Sequence, residues 1–399
     1  MKQLFNRITT VVTLLYALCP MLSAQTFIEV QDSVVSDTAS ANENFVYLLN
    51  ADELRYSERV NPDAQVLVGN VVFRQDSMYM YCDSALFFQE ANSFNAYHNI
   101  RVEQGDTLFL YGDSLFYNGN TRILKIRDNV RIENTTMVLL TDSLNYERDA
   151  ELGYFFAGGT LLDEENTLTS DYGQFHTPTK MATFMKDVFL ESEDYNLSSD
   201  TLLYNTDLHT AYFVSPTEII SDETTIHTNN GNFNTDLKEA VLLNRSVIIQ
   251  KDGEQTMVGD SIIFNEAEGQ AEAFGNVEIR NYTDKLDVDG EYAYFNHQND
   301  SAVVTGNALA IEYSTGDSLY IHADTFRLLT FYNATKDTVL YREMRAFNKV
   351  KAYRTDMQMV ADSLVFNSID TCLTLYKDPI VWSENQQVLG EKISVYMND

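Results

Sequence analysis

Chemistry in this chain could begin at Gly112-Asp113-Ser114-Leu115, the nucleophile block of one class of serine esterases. A catalytic serine needs a base, and those enzymes carry theirs in an Asp-x-x-His near the C-terminus. None of the six histidines (His98, His176, His209, His227, His297, His322) has an aspartate three residues before it. The block also returns as "CDSALFF" (82–88), "TDSLNYE" (141–147), "SDTLLYN" (199–205), "GDSIIFN" (259–265) and "ADSLVFN" (361–367). A nucleophile is needed once, whereas a motif repeated this often is architecture. Acidic clusters such as "LLDEEN" (161–166) could hold calcium, but the Gly-Gly-x-Gly-x-Asp pattern of calcium β-rolls is absent and no metal site is expected.

The elements behind the block emerge when its acid is taken as an anchor. The anchors are Asp52, Asp83, Asp113, Asp142, Asp171, Asp200, Asn229, Asp260, Glu291, Asp324, Asp362 and Glu391, spaced by 29 to 38 residues. A period in this range signals a solenoid, propeller or related array. Two residues after the anchor the column reads Leu54, Ala85, Leu115, Leu144, Gly173, Leu202, Gly231, Ile262, Ala293, Phe326, Leu364, Ile393. Four residues after it stand Tyr56, Phe87, Tyr117, Tyr146, Phe175, Tyr204, Phe233, Phe264, Phe295, Leu328, Phe366 and Val395. Apolar positions two apart with mixed residues between them predict a half-buried strand.

A second strand follows a Gly-Asn-type turn, as in "GNVVF" (69–73), "HNIRV" (98–102), "DNVRI" (128–132) and "GNVEI" (275–279), with Val71 and Phe73, Ile100 and Val102, Val130 and Ile132 on one face. A third, weaker strand precedes that turn ("RILKI", 122–126; "LGYFF", 152–156), so one unit is expected to hold about three short strands. No helical periodicity stands out in the mature chain. Stacked units would carry one aromatic stripe and one of Val and Ile. Either these stripes meet in a dry core, or the sheets splay around an apolar groove. The uneven second column, with Ala85, Gly173, Gly231 and Ala293 among larger residues, favours a cleft of varying width.

Lys2 and Arg7, the apolar run 11–18 and Leu22-Ser23-Ala24 read as a signal peptide over residues 1–24, followed by a flexible linker over 25–44. Cys19 follows Leu18, where a lipoprotein signal calls for a small residue, so lipidation is disfavoured. Cys82 and Cys372 remain in the mature chain and are read as buried structural thiols. A net charge of −32 disfavours nucleic acid as a partner and favours solubility.

The segment "GNVVFRQDSMYMYCDSALFF" (69–88) joins Gly-Asn-Val-x-apolar, a polar gap, and Asp-Ser/Thr-apolar-x-aromatic. It resembles the organic-solvent-tolerance (OstA-like) family of lipopolysaccharide-transport proteins, and the resemblance extends over nearly all of 45–399. It implies an all-β, elongated, repeat-built open β-jelly roll with V-shaped, solenoid-like antiparallel sheets, here of about twelve units of about 30 residues. The length suggests two fused modules, about 45–213 and 214–399.

The resemblance further implies a non-enzymatic, periplasmic carrier of lipopolysaccharide, without cofactor, whose apolar groove holds lipid A on its way to the outer membrane. Val71, Phe73, Phe87, Ile100, Val102, Leu115, Tyr117, Val130, Ile132, Leu144, Tyr146, Tyr204 and Phe264 would line that groove. The implied partners are an inner-membrane export complex, an outer-membrane assembly protein and, end to end, further copies of like modules. Burying an acyl chain of about a dozen methylenes is worth roughly 10 kcal/mol, so the tail would dominate holding. The alternatives from other classes are a closed structural solenoid and a carbohydrate-active exported β-solenoid. The stretch 325–347 is read as a longer loop or rim insertion.

Overall fold

The computed structural model describes residues 45–396 apart from 58–60, 105–107, 134–137, 163–165, 193–194, 206, 223, 235, 251–252, 266, 297, 315, 334–338, 370–371 and 384–385. The expected signal peptide, Cys19 and the expected linker lie outside the described residues. Thirty strands are hydrogen-bonded in antiparallel pairs, and among the described residues the one helical element is the short 3-10 turn Thr177–Thr179. Contacts divide the chain into two compact units. Of the described residues, an N-terminal unit is drawn from 45–192 and Ser199–Thr210, and a C-terminal unit from 195–198 and 211–396.

The repeat differs from the expected three short strands. It holds two long ones, such as Met78–Phe88 with Ser93–Gln104, then Leu108–Asn118 with Ile123–Glu133. The Gly-Asn-type pairs do adopt positive φ, but they sit inside a strand instead of ending it. His98 and Asn99, Asp128 and Asn129, Lys186 and Asp187, and Gly275 and Asn276 are all consecutive left-handed residues. "RILKI" and "DNVRI" are therefore the two halves of Ile123–Glu133. At each such bend the ladder skips: Tyr97 faces Ser114 and the next matched residue is Ile100, facing Gly112. Two left-handed residues in a row turn a strand sharply, as a bulge does.

The recurring acid holds the bend. The side-chain amides of Asn70, Asn99, Asn129 and Asn276 donate to the carboxylates of Asp52, Asp83, Asp113 and Asp260 at 2.6–2.8 Å. Ser114 is simply the residue after a bend acid, as Ser84 and Ser261 are. At Gly69 and Gly275 a Cβ would fall 2.4 and 2.6 Å from the carboxylates of Asp52 and Asp260, in addition to the strain of a positive φ.

A crease at mid-length bends the long strands and, elsewhere, separates two short ones, as between Asn166–Ser170 and Tyr172–His176. Hairpin turns alternate between two rims: Asp76-Ser77 belongs to one, and the turns through Arg122 and Arg148 to the other. An 11-residue strand spans roughly 35 Å when straight. Yet the Arg148 guanidinium lies 3.0 Å from the Asp76 carboxylate. In the N-terminal unit, then, the strands form two arms that meet at the rim. One arm carries the Val and Ile stripe; the other carries the aromatic stripe.

The expected loop or insertion at 325–347 is a hairpin of longer strands, Leu319–Tyr332 and Val339–Arg354. It runs past its neighbours, whose pairing stops at Leu329 and Glu343. Phe331 and Tyr341 stack at 4.4 Å on the overhang.

Candidate functional site

The inward stripes are where the sequence placed binding. In the N-terminal unit Val71, Phe73, Phe87, Ile100, Val102, Leu115, Tyr117, Val130, Ile132, Leu144, Tyr146 and Tyr204 are all buried. Phe73 crosses from its own arm and stacks on Phe94 of the other at 4.0 Å, with Phe87 at 5.4 Å. Phe94 continues to Tyr117 at 5.8 Å. Phe94 was absent from the expected set. Its alternation with Ala96 before the bend His98-Asn99 is the signal that would have included it.

The small residues of the second column do not widen a cleft at Gly173. A Cβ there would lie 2.3 Å from the Phe155 ring, which occupies the space. An enclosed void of about 20 Å³ remains beside it, bounded by Ile132, Leu139, Leu144, Phe155, Leu161 and Phe184. That is room for about one water.

A polar cluster closes the rim above the ring stack. Arg148 donates to the Tyr117 hydroxyl at 3.2 Å and to Asp76 at 3.0 Å, and Arg122 stands 3.8 Å from the same carboxylate. Tyr117 donates to the side-chain carbonyl of Gln75, a fully buried residue whose amide donates to the Gly119 carbonyl at 3.4 Å. Burial pushes the Tyr117 phenol up, while the Arg148 guanidinium pulls it the other way. Further from the rim, burial and the neighbouring Asp83 push the Cys82 thiol up to about 12, so it is protonated at neutral pH.

The C-terminal unit differs along the same columns. The second column stays buried at Ile262, Ala293, Phe326 and Leu364. In the fourth column Phe264, Phe295, Leu328, Phe366 and Val395 are partly exposed. Phe233, earlier in the same column, is fully buried, so from Phe264 onward the half of the stripe nearer the rim is partly exposed. One rim contact is Arg342 to Asp284, 3.8 Å apart, with both side chains more than half exposed.

A family model described as OstA-like protein matches residues 43–200 and 238–320. No curated protein matches the chain. Among solved structures, the chain is similar to the crystal structure of LptH, the LptA-homologous periplasmic component of the conserved lipopolysaccharide transport device from Pseudomonas aeruginosa. The identity is 10%, with 25% of this chain and 76% of that one covered and a TM-score of 0.23.

Proposed function

This chain belongs to the OstA-like protein family, and from that premise we propose that it is a periplasmic carrier of lipopolysaccharide. Its inward stripes receive lipid A acyl chains and pass them toward the outer membrane, without catalysis. The observation that carries this reading is the partly exposed fourth column of the C-terminal unit. An apolar stripe left open to solvent costs free energy unless something covers it, and a hydrocarbon tail is a fitting cover. A tail of about a dozen methylenes gains roughly 10 kcal/mol on burial. A hydrogen bond to a charged group at the rim is worth about 1.5–3 kcal/mol, so cargo can outweigh a few such contacts.

Partners on either side, an inner-membrane export complex and an outer-membrane assembly protein, would join by strand addition. The strands Tyr47–Asn50 and Glu53–Ser57, with exposed Tyr47, Leu49, Leu54 and Tyr56, suit such joining, as does Lys392–Tyr396 with exposed Tyr396. End-to-end contact between copies would use the same strands.

The filled interior of the N-terminal unit favours a second reading, a structural solenoid with a closed core. Photocrosslinking in cells separates the two. A photoreactive residue at Phe295 or Phe366 is expected to capture a lipopolysaccharide adduct, and one at Phe94 to capture less. No lipid adduct at any of the three positions would leave the structural reading.

A further inference from the structure

The rim of the N-terminal unit gathers two guanidinium groups against the charge of the whole molecule. The chain carries −32 overall. Here Arg122 and Arg148 share the carboxylate of Asp76, at 3.8 and 3.0 Å. Another acid near them, Asp149, lies 3.8 Å from Arg122 with its side chain 70% exposed, where water and salt screen it. Arg148 is only 14% exposed and is aimed by its bond to Tyr117. Directly beneath Tyr117 begins the stack of Phe94, Phe73 and Phe87. Basic groups at a lip, hydroxyl and amide groups behind them, and an apolar layered interior below make an amphiphile-shaped arrangement.

We propose that Arg122 and Arg148 form a site for the phosphate head of an acylated amphiphile, and that this phosphate takes the place of Asp76. The inference rests on the lipid-carrier reading above and locates the head group within it. Guanidinium groups match phosphate oxygens in a two-point geometry, and a phosphate monoester carries up to two charges against one for a carboxylate. Asp76 sits on the opposite rim from the two arginines. Its displacement therefore removes one tie between the arms at the point where a tail must pass between them, leaving those that Gln75 makes with Tyr117 and Gly119. Head-group recognition and loosening of the rim are one event, and Asp76 acts as the internal competitor that helps keep the unloaded unit shut.

The test uses dodecyl phosphate as the probe, with dodecyl maltoside carrying the same tail on a neutral head and inorganic phosphate carrying no tail. Binding to the full mature chain is measured by calorimetry, with circular dichroism melts to confirm folding of each variant. Asp76→Asn keeps hydrogen-bonding capacity but removes the competing charge, and should tighten dodecyl phosphate binding about five-fold or more. Arg148→Gln should weaken it about ten-fold. Arg122→Gln, on a more exposed side chain, should weaken it about three-fold and serves as the readout if Arg148→Gln does not fold. Loosening the rim should raise dodecyl maltoside affinity by a similar factor in Asp76→Asn and Arg148→Gln, so the ratio of dodecyl phosphate to dodecyl maltoside affinity should rise in Asp76→Asn and fall in the arginine variants, and inorganic phosphate should bind far more weakly than dodecyl phosphate.

Unchanged dodecyl phosphate affinity in Asp76→Asn and in the arginine variants overturns the head-group site. If the neutral detergent still binds in that case, the carrier reading stands. Failure of every tailed probe to bind overturns both. Inorganic phosphate binding as tightly as dodecyl phosphate shows a free-anion site and also overturns the proposal.

Discussion

The two units use the same strand, crease and column, yet they treat their interiors differently. In the N-terminal unit rings from both arms interlock, and the rim is tied by several bonds among mostly covered groups. In the C-terminal unit the residues nearest the crease are covered, the outer column is partly exposed from Phe264 onward, and the Arg342–Asp284 contact is long and exposed. Periodicity therefore fixes where apolar residues point. How far the arms close over them depends on which residues reach across and on how the rims are tied.

Substitution can break or sharpen this contrast. Phe94→Ala removes the ring on which Phe73 stacks and should cost about 3–5 kcal/mol of unfolding free energy. Phe295→Ala, in a partly exposed position, should cost about 1–2 kcal/mol. Denaturant titration of the two variants checks the pair, and equal losses would remove the distinction between the units.

The crease comes next in size. Asn129→Val places a β-branched residue at positive φ and deletes the bond to Asp113. A loss of about 2–3 kcal/mol is expected, with Asn129→Gly recovering the backbone part of it. Equal stability of the Val and Gly variants would mean that the left-handed bend does not matter there.

Rim substitutions are smaller. Arg148→Gln should lower stability by about 1.5–3 kcal/mol, because the Asp76 carboxylate and the Tyr117 hydroxyl each lose a charged donor. Arg342→Gln should change it by about 0–1 kcal/mol, as an exposed ion pair does. A larger effect at Arg342 would show that the C-terminal rim is tied more firmly than its geometry indicates.

The gentlest test is pH. The Cys82 thiol is held near 12 in the folded unit, against an ordinary value of about 8.5–9 in the unfolded chain. Its contribution to stability is fully present below about pH 9 and is lost as pH rises toward 12. In Cys82→Ala this part of the alkaline slope should disappear. An unaltered slope would assign the alkaline loss to other groups.

Much of this was legible in the sequence. The period-two columns identified the strands and the faces that Phe87, Tyr117 and Tyr146 occupy, and the repeated acid marked a structural position. The middle of each strand was misread because a Gly-Asn pair with positive φ reads alike as a hairpin turn and as a bend within a ladder; only pairing partners distinguish them. The emptiness suggested by Gly173 was misleading too, since Phe155, its direct partner on the neighbouring strand, fills it. The rim cluster was invisible for a related reason. Asp76 and Arg148 are 72 residues apart and belong to opposite rims, so no local pattern joins them.

The crease itself has one more implication. Ladder hydrogen bonds run on either side of it, and the register skips across it at Tyr97/Ile100 and again at Arg127/Val130. Swinging one arm away from the other therefore breaks no rung of the sheet, much as a book opens without tearing its pages. Resistance to opening comes from the facing side chains and the tied lips, and it can vary leaf by leaf. A molecule built in this way can gape at one repeat while staying shut at the next, so a passing tail would need only a short travelling gap.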